Sequence, residues 1–324
     1  MKKNILPTVT CACLLLFAAC KQTRTGNNTP AKDVVTEDTI HTAHYTQPLI
    51  PAMLTDPQQR AAYYVHHYWD GYSLADTAFI RSDDTEQLYV DFINALQYAD
   101  TSEYSPALQN MMCYMETDSV AYAHFCYLSE KYLYDPNSPM RNETYYIPVL
   151  EQMVNSKRLT EQEKIRPAYR LKQACKNRPG TKAQDFSYVT PIGKNGRLSQ
   201  SKSDYTLLFF YDPDCSNCRS FKETLSGIPF LTAMQEDGIL RILAIYPDEN
   251  KEEWLNKSHQ MPQGWIVGWN KQGDIRSKQL YELRAMPTLY LLDKQKKVIL
   301  KDTSLESVIQ YLSAIGSRDM ASRN

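Results

Sequence analysis

Between residues 48 and 178 the hydrophobic positions recur every three or four residues, with polar positions between them. This period is typical of amphipathic helices, and no strand-like alternation stands out. Asp56 and Pro57 supply an N-cap and a first-turn proline for the first helix, and Gly71 is its expected stop. The predicted helices cover residues 57–70, 83–96, 108–115, 120–133, 145–154 and 161–175. We therefore expect an all-α domain over residues 48–178.

The pattern changes after Arg178-Pro179-Gly180, where short apolar runs begin to alternate with helical segments. The predicted strands are 207–211, 240–246, 288–292 and 298–301. The predicted helices are 215–226, 251–259, 276–283 and 304–315, the last with a capping box formed by Thr303 and Glu306. Strands that alternate with helices and end in a hairpin and a helix predict an α/β domain over residues 179–324, with a mixed central sheet covered on both faces.

The first 47 residues fit neither pattern. Two lysines precede an apolar run, residues 9–19, that is too short to span a membrane as a stable helix, and small residues lead directly into Cys20. This arrangement resembles a bacterial lipoprotein signal, which implies a signal peptide over 1–19 and lipid on Cys20. The alternative is an ordinary secretory signal. Residues 20–47 are polar and are expected to form a flexible tether, so the protein would face the periplasm from a bacterial membrane.

Charge and length narrow the possible functions. The formal net charge of −1 leaves no basic surplus for nucleic acid and no polybasic patch for a membrane, so the lipid alone would hold the protein there. A chain of 324 residues is longer than one hydrophobic core usually serves. Both observations favour a two-domain protein that acts on proteins or small molecules.

Five of the eight cysteines lie outside the predicted lipoprotein signal: Cys113, Cys126, Cys175, Cys215 and Cys218. An odd number in an oxidising compartment excludes complete pairing within the chain. Cys113 and Cys126 are expected either to form a structural disulfide or to remain small core residues like Cys175.

Cys215 and Cys218 form a Cys-x-x-Cys motif where a predicted strand gives way to a predicted helix. A helix N-terminus carries a partial positive charge and free amide donors, which stabilise a thiolate over a thiol. The segment Ala-Met-Pro-Thr follows at residues 285–288, before another strand. Together these features predict thiol–disulfide exchange.

Residues 179–316 resemble the thioredoxin fold, most closely the membrane-anchored extracytoplasmic type related to cytochrome-maturation thiol reductases. Residues 180–188 look like the lead-in strand of that type, followed by a turn with Gly193 and Gly196. Residues 60–77, RAAYYVHHYWDGYSLADT, resemble an uncharacterised helical domain found before thioredoxin-like domains in bacterial lipoproteins. That second resemblance implies no activity for the helical domain.

The thioredoxin resemblance implies a role for four residues. Cys215 would be the attacking nucleophile, and Cys218 would resolve the mixed disulfide. Pro287 would follow a cis peptide bond, and Met286 would lie beside the dithiol and contact the substrate. The chain departs from the pattern of cytosolic thioredoxins at two positions. Asp214 stands where those proteins usually have a tryptophan, and Phe209 stands where they have a buried aspartate that transfers protons. Arg219 is the expected partial counter-charge to Asp214.

The sequence thus predicts a membrane-anchored periplasmic oxidoreductase that reduces disulfides of exported proteins and draws electrons from a membrane thiol donor. The rival is a redox-inactive thioredoxin-fold scaffold, in which the dithiol has become a structural disulfide. No cofactor or metal is expected, since neither a zinc ligand set nor a nucleotide motif is present. Copper delivery by the cysteine pair with His259 is a weaker alternative.

Overall fold

The computed structural model describes residues 44–323, which belong to one compact unit. The predicted signal peptide, Cys20 and nearly all of the predicted tether lie outside the described residues. Within residues 44–323, no helix is both long enough and apolar enough to cross a membrane.

The first part of the described chain is helical, and all six predicted helices form. The helices are α1 Pro57–His67, α2 Thr77–Ile80, α3 Asp83–Leu96, α4 Thr101–Met115, α5 Ser119–Ser129, α6 Glu143–Asn155 and α7 Glu161–Ala174. Asp56 caps α1 as predicted, because its carboxylate accepts a hydrogen bond from the backbone N–H of Gln59 at 2.9 Å. The core is rich in aromatic rings, and Trp69 packs edge-on against Phe125 with centroids 5.0 Å apart. We call residues 44–177 the helical region.

Two helix ends differ from prediction. Helix α1 stops at His67, before Gly71, and Gly71 instead allows the chain at Thr46 to approach closely, since a Cβ on Gly71 would lie 2.2 Å from the carbonyl oxygen of Thr46. The predicted helix at 120–133 is α5 followed by a π-helical turn, Glu130–Tyr134. Such turns commonly mark functional positions.

The second part of the described chain, which we call the sheet region, forms a seven-stranded mixed sheet. Its strands are β1 Ser187–Val189, β2 Asn195–Arg197, β3 Tyr205–Phe210, β4 Leu240–Tyr246, β5 Ile266–Trp269, β6 Thr288–Leu292 and β7 Val298–Lys301. Its helices are α8 Ser216–Ser226, α9 Pro229–Glu236, α10 Lys251–Lys257, α11 Asp274–Ser277 and α12 Leu305–Arg323, with 3-10 turns at Leu198–Gln200 and Ser258–Gln260.

The strand order is β2-β1-β5-β4-β3-β6-β7. Strands β3, β4 and β5 pair in parallel, whereas β6 and β7 are antiparallel to their neighbours. The central strands β3, β4 and β6 are buried along nearly their whole length, because separate hydrophobic clusters cover the two faces of the sheet. The predicted fold class, a helical region followed by an α/β domain with a mixed sheet, is confirmed.

Several local predictions for the sheet region are wrong. The helix predicted at 276–283 is only the short α11, because Gln279 has a φ of 51° and ends the helical path. Gly196 lies in β2 rather than in the turn. The cap of α12 is Ser304 and not Thr303, since the Ser304 hydroxyl accepts a hydrogen bond from the N–H of Ser307 at 3.2 Å.

Candidate functional site

Cys215 lies at the end of the segment that connects β3 to α8. The strand ends at Phe210, and Cys215 is the N-cap of α8, with extended backbone angles. Its Sγ accepts a hydrogen bond from the backbone N–H of Cys218 at 3.2 Å. First-turn amides have no partner inside the helix, so they are free to bind a sulfur at the cap. This contact and the helix dipole both strengthen when the sulfur carries a negative charge.

Cys218 lies one turn into α8 and is 4% exposed, whereas Cys215 is half-buried. Both are free thiols. Burial, together with the neighbouring sulfur of Cys215, raises the pKa of the Cys218 thiol. The two thiols therefore differ: one meets solvent and an amide donor, and the other is buried and holds its proton.

The chain opposite Cys215 is the segment before β6. The peptide bond between Met286 and Pro287 is cis, as predicted. The carbonyl oxygen of Met286 accepts a hydrogen bond from the Cys215 thiol, with the sulfur 3.4 Å away. The fold thus brings Cys215, Cys218 and Met286 together, with Pro287 bonded next to Met286. Cys20, the remaining predicted site residue, lies outside the described residues.

The segment that follows β4 covers one side of the dithiol. Lys257, at the end of α10, forms an ion pair with Asp214, the residue before Cys215. Lys222 of α8 donates a hydrogen bond to the carbonyl of Gln260 at 3.0 Å. These contacts hold the segment against α8. The charge of Asp214 is therefore met by Lys257, rather than mainly by the predicted Arg219.

A small cavity of about 30 Å³ lies between the dithiol and this segment. Its walls include Cys218, Lys222, Gln260 and Met261. The volume is enough for one water molecule. Sequence reasoning did not identify Gln260 or Met261, because the helical pattern at 251–259 shows that the segment is ordered but not what it folds against.

The floor below the dithiol is aromatic. Phe209 is fully buried and stacks on Tyr211 and Phe221, with ring centroids 5.5 and 5.0 Å away. Burial raises the pKa of the Tyr211 hydroxyl, which therefore stays protonated at neutral pH. Phe209 therefore places an apolar ring, and no carboxylate, at the position where the cytosolic thioredoxin pattern has a buried aspartate.

The other three cysteines of the described chain are also free thiols. Cys113 on α4 is exposed, with its sulfur 3.6 Å from the Gln152 side-chain oxygen. Burial raises the pKa of Cys126 to about 12. Cys175, expected in the core, is exposed at the end of α7. Among the described residues, no cluster of His, Cys, Asp and Glu is arranged to hold a metal ion.

Comparison with known proteins places the chain among its relatives. Residues 19–177 match a family described as a domain of unknown function, DUF5106, and residues 197–311 match the thioredoxin-like domain family. The crystal structure of a thioredoxin-like protein from Bacteroides caccae is 42% identical, covers 85% of this chain and 99% of its own, and superposes with a TM-score of 0.80. The chain belongs to this family of thioredoxin-like proteins with an N-terminal DUF5106 domain. The predicted family resemblance is confirmed.

Two further solved structures cover less than half of the chain. A conserved protein of unknown function from Bacteroides fragilis is 63% identical over 42% of this chain and 98% of its own, with a TM-score of 0.41. A domain of a possible thiol-disulfide isomerase from Cytophaga hutchinsonii is 25% identical over 45% of this chain and 99% of its own, with a TM-score of 0.39. No curated protein matches the sequence.

Proposed function

We propose that this thioredoxin-like protein is a thiol–disulfide oxidoreductase that reduces disulfides of exported proteins through Cys215 and Cys218. The observation that carries the proposal is the asymmetry of the two thiols. Cys215 is partly exposed and accepts an amide hydrogen bond at a helix cap, whereas Cys218 is buried one turn away. An attacking thiol needs access and a stabilised thiolate, and a resolving thiol needs only proximity to the first sulfur.

The reaction proceeds in two displacements. The Cys215 thiolate attacks one sulfur of the substrate disulfide, forms a mixed disulfide, and releases the other substrate sulfur as a thiolate. Cys218 then loses its proton and attacks the Cys215 sulfur, which releases the second substrate thiolate. The substrate gains two electrons, and Cys215 and Cys218 end as a disulfide. A second dithiol must reduce that disulfide before the next cycle.

The proton on Cys218 controls the second step. Burial raises the pKa of this thiol, so Cys218 remains protonated while the substrate approaches and does not compete as a nucleophile. The cavity of about 30 Å³ beside Cys218 and Lys222 has room for one water molecule, which would relay the proton from Cys218 toward the substrate thiolate released in the first step. Resolution is therefore expected to be slower than attack near neutral pH.

We propose the location from the lipoprotein-like pattern of residues 9–20, an apolar run and small residues that lead into Cys20. A lipid on Cys20 would tether the protein to a bacterial membrane with its dithiol facing the periplasm. Exported proteins would then be its substrates, and a thiol donor within the membrane would supply electrons. An oxidising compartment does not otherwise keep a dithiol reduced, which is why a donor belongs to the proposal.

A trapping experiment tests the roles of the two cysteines. Cys218→Ser should accumulate a mixed disulfide with a biotin-labelled cystine peptide, because the resolving thiol is gone. Cys215→Ser should accumulate about tenfold less, because the remaining thiol is buried and protonated. Both variants are made in a background with Cys113→Ser and Cys175→Ser, since those thiols are exposed.

The amount of labelled adduct on a non-reducing gel is the readout, and the background alone serves as the control. Equal trapping by Cys218→Ser and Cys215→Ser would contradict the role assignment. An absence of adduct in both would favour the redox-inactive scaffold.

A further inference from the structure

The helical region contacts the segment just before the cis-proline Pro287 through one group of aromatic and charged side chains. We call it the junction cluster, and its members are Tyr134, Arg141, Arg170, Glu282, Arg284 and Asp302. Glu282 and Arg284 lie four and two residues before Met286. Contacts that fix these two side chains therefore also restrain the loop that carries Met286.

Tyr134, at the end of the π-helical turn, is the centre of the cluster. Its ring lies between two guanidinium groups, with that of Arg170 4.1 Å and that of Arg284 4.3 Å from the ring centroid. Its hydroxyl donates a hydrogen bond to the Glu282 carboxylate at 2.8 Å. Burial raises the pKa of Tyr134 to about 12, so this hydroxyl remains a donor at neutral pH. The backbone carbonyl of Tyr134 also accepts a hydrogen bond from Arg284.

The two guanidinium groups are themselves held in place. Arg170, 6% exposed, donates to the Glu130 carboxylate at 2.6 Å and to the Tyr146 hydroxyl at 3.1 Å. Arg284, 11% exposed, donates to the Asp302 carboxylate at 2.8 Å. Tyr134 is thus clamped between a fixed group of the helical region and a fixed group of the sheet region.

The loop held by the junction cluster contacts Cys215. The loop that Arg284 and Glu282 belong to carries the Met286 carbonyl, and that carbonyl accepts the hydrogen bond of the Cys215 thiol. This hydrogen bond occupies the Cys215 thiol and turns the carbonyl oxygen toward the sulfur that must attack the substrate. The position of the loop therefore affects how readily the Cys215 sulfur is reached by a reagent or a substrate.

We infer that Tyr134 is a positioning residue for the dithiol, through which the helical region holds the Met286 loop against Cys215. This inference rests on the proposed function and deepens it, because it gives the helical region a part in the same reaction. Tyr134 itself touches neither sulfur; it acts through Glu282 and Arg284.

Tyr134→Ala tests the inference. Release of the loop removes the carbonyl acceptor from the Cys215 thiol, so alkylation of Cys215 by iodoacetamide near neutral pH should become about threefold faster. Reduction of a cystine peptide should become about tenfold slower in kcat/KM, because a displaced loop misaligns the substrate. Alkylation is followed by peptide mapping in the Cys113→Ser and Cys175→Ser background.

Two variants accompany it. Tyr132→Ala is the matched control, because Tyr132 lies in the same π-helical turn but its hydroxyl bonds Glu86 within the helical region. It should leave Cys215 alkylation unchanged. If Tyr134→Ala does not fold, Arg284→Lys tests the inference in its place. This substitution keeps the positive charge but removes the planar guanidinium that stacks on Tyr134 and its paired hydrogen-bond donors.

The alkylation profile between about pH 5 and 9 is the deciding readout. A folded Tyr134→Ala protein, or a folded Arg284→Lys protein in its place, with the profile of the parent would overturn the inference. Failure of the proposed function can be told apart from failure of this inference. A parent protein that reduces no disulfide would contradict the proposed function, and its Cys215 alkylation profile could still be compared with that of Tyr134→Ala.

Discussion

At the scale of single residues, surroundings decide what identical side chains do. Cys215 and Cys218 differ in exposure and in the hydrogen bonds they receive, and burial raises the pKa of Cys218. The sequence predicted that this pair lies at the start of a helix, because a helix cap after a buried strand is a local pattern. The order in which the two thiols act is implied by the thioredoxin resemblance and stays a prediction. The sequence did not predict Lys257 as the partner of Asp214, since 43 positions separate them and only the folded chain brings them together.

The stability of the contact between Glu130 and Arg170, a member of the junction cluster, is expected to depend on pH. The hydrogen bond from Arg170 lowers the pKa of Glu130 below its usual value of 4.5. A carboxyl whose pKa is lowered by folding stabilises the protein above its unfolded-state pKa, and this stabilisation is lost as the pH falls through the folded-state value. Glu130→Gln should therefore reduce the free energy of unfolding by about 1 kcal/mol at pH 7, a value discounted for the partial exposure of Glu130.

The difference between Glu130→Gln and the parent should shrink toward zero below about pH 4, as measured by urea unfolding at several pH values. Glu161→Gln is the control, because Glu161 is 91% exposed in its pair with Lys164 and should change stability little. A Glu130→Gln deficit that stays constant across the pH range would contradict this account.

At the scale of elements, strong local patterns predict the observed structure and weak ones do not. The bounds of β4, β6 and β7 match the prediction, because apolar residues make up most of each strand. The pattern does not predict strand β5, because this strand has only four residues and includes Gly268. The length of α11 was overestimated, because the positive φ of Gln279 is a backbone state that residue type does not reveal.

Gly71 is required by a close backbone approach from a distant part of the chain, which the local sequence pattern does not reveal. A methyl group at this position would lie 2.2 Å from the Thr46 carbonyl oxygen, and the N–H of Thr46 donates to the Gly71 carbonyl at 3.1 Å. Gly71→Ala should therefore lower the free energy of unfolding by about 2 kcal/mol or more.

Gly227→Ala is the matched control for that substitution. Its added methyl group would meet only the carbonyl oxygens of Glu223 and Thr224, at 3.4 and 3.5 Å, at a residue with a φ of −82°. It should change the free energy of unfolding by no more than about 0.5 kcal/mol. Equal losses for the two variants in urea titrations would show that close approach to Thr46 does not explain Gly71.

At the scale of the whole molecule, the helical region and the sheet region share polar contacts that reach the loop that carries Met286. Lys301 of β7 pairs with Glu143 of α6 at 2.7 Å and donates to the Ala174 carbonyl at the end of α7. Together with the junction cluster, these contacts join residues more than 100 positions apart. A periodic pattern can predict the two domains but not which of their polar side chains meet, so the sequence leaves the role of the helical domain open.

The most direct test of the central claim is the reduction potential of the Cys215–Cys218 pair, measured by equilibrium titration of the soluble protein in the Cys113→Ser and Cys175→Ser background. We predict a value near or below about −250 mV, as expected for a reductase supplied with electrons from a membrane donor. A value near about −120 mV would contradict the direction of the reaction, and a pair that does not titrate would contradict the assignment as an oxidoreductase.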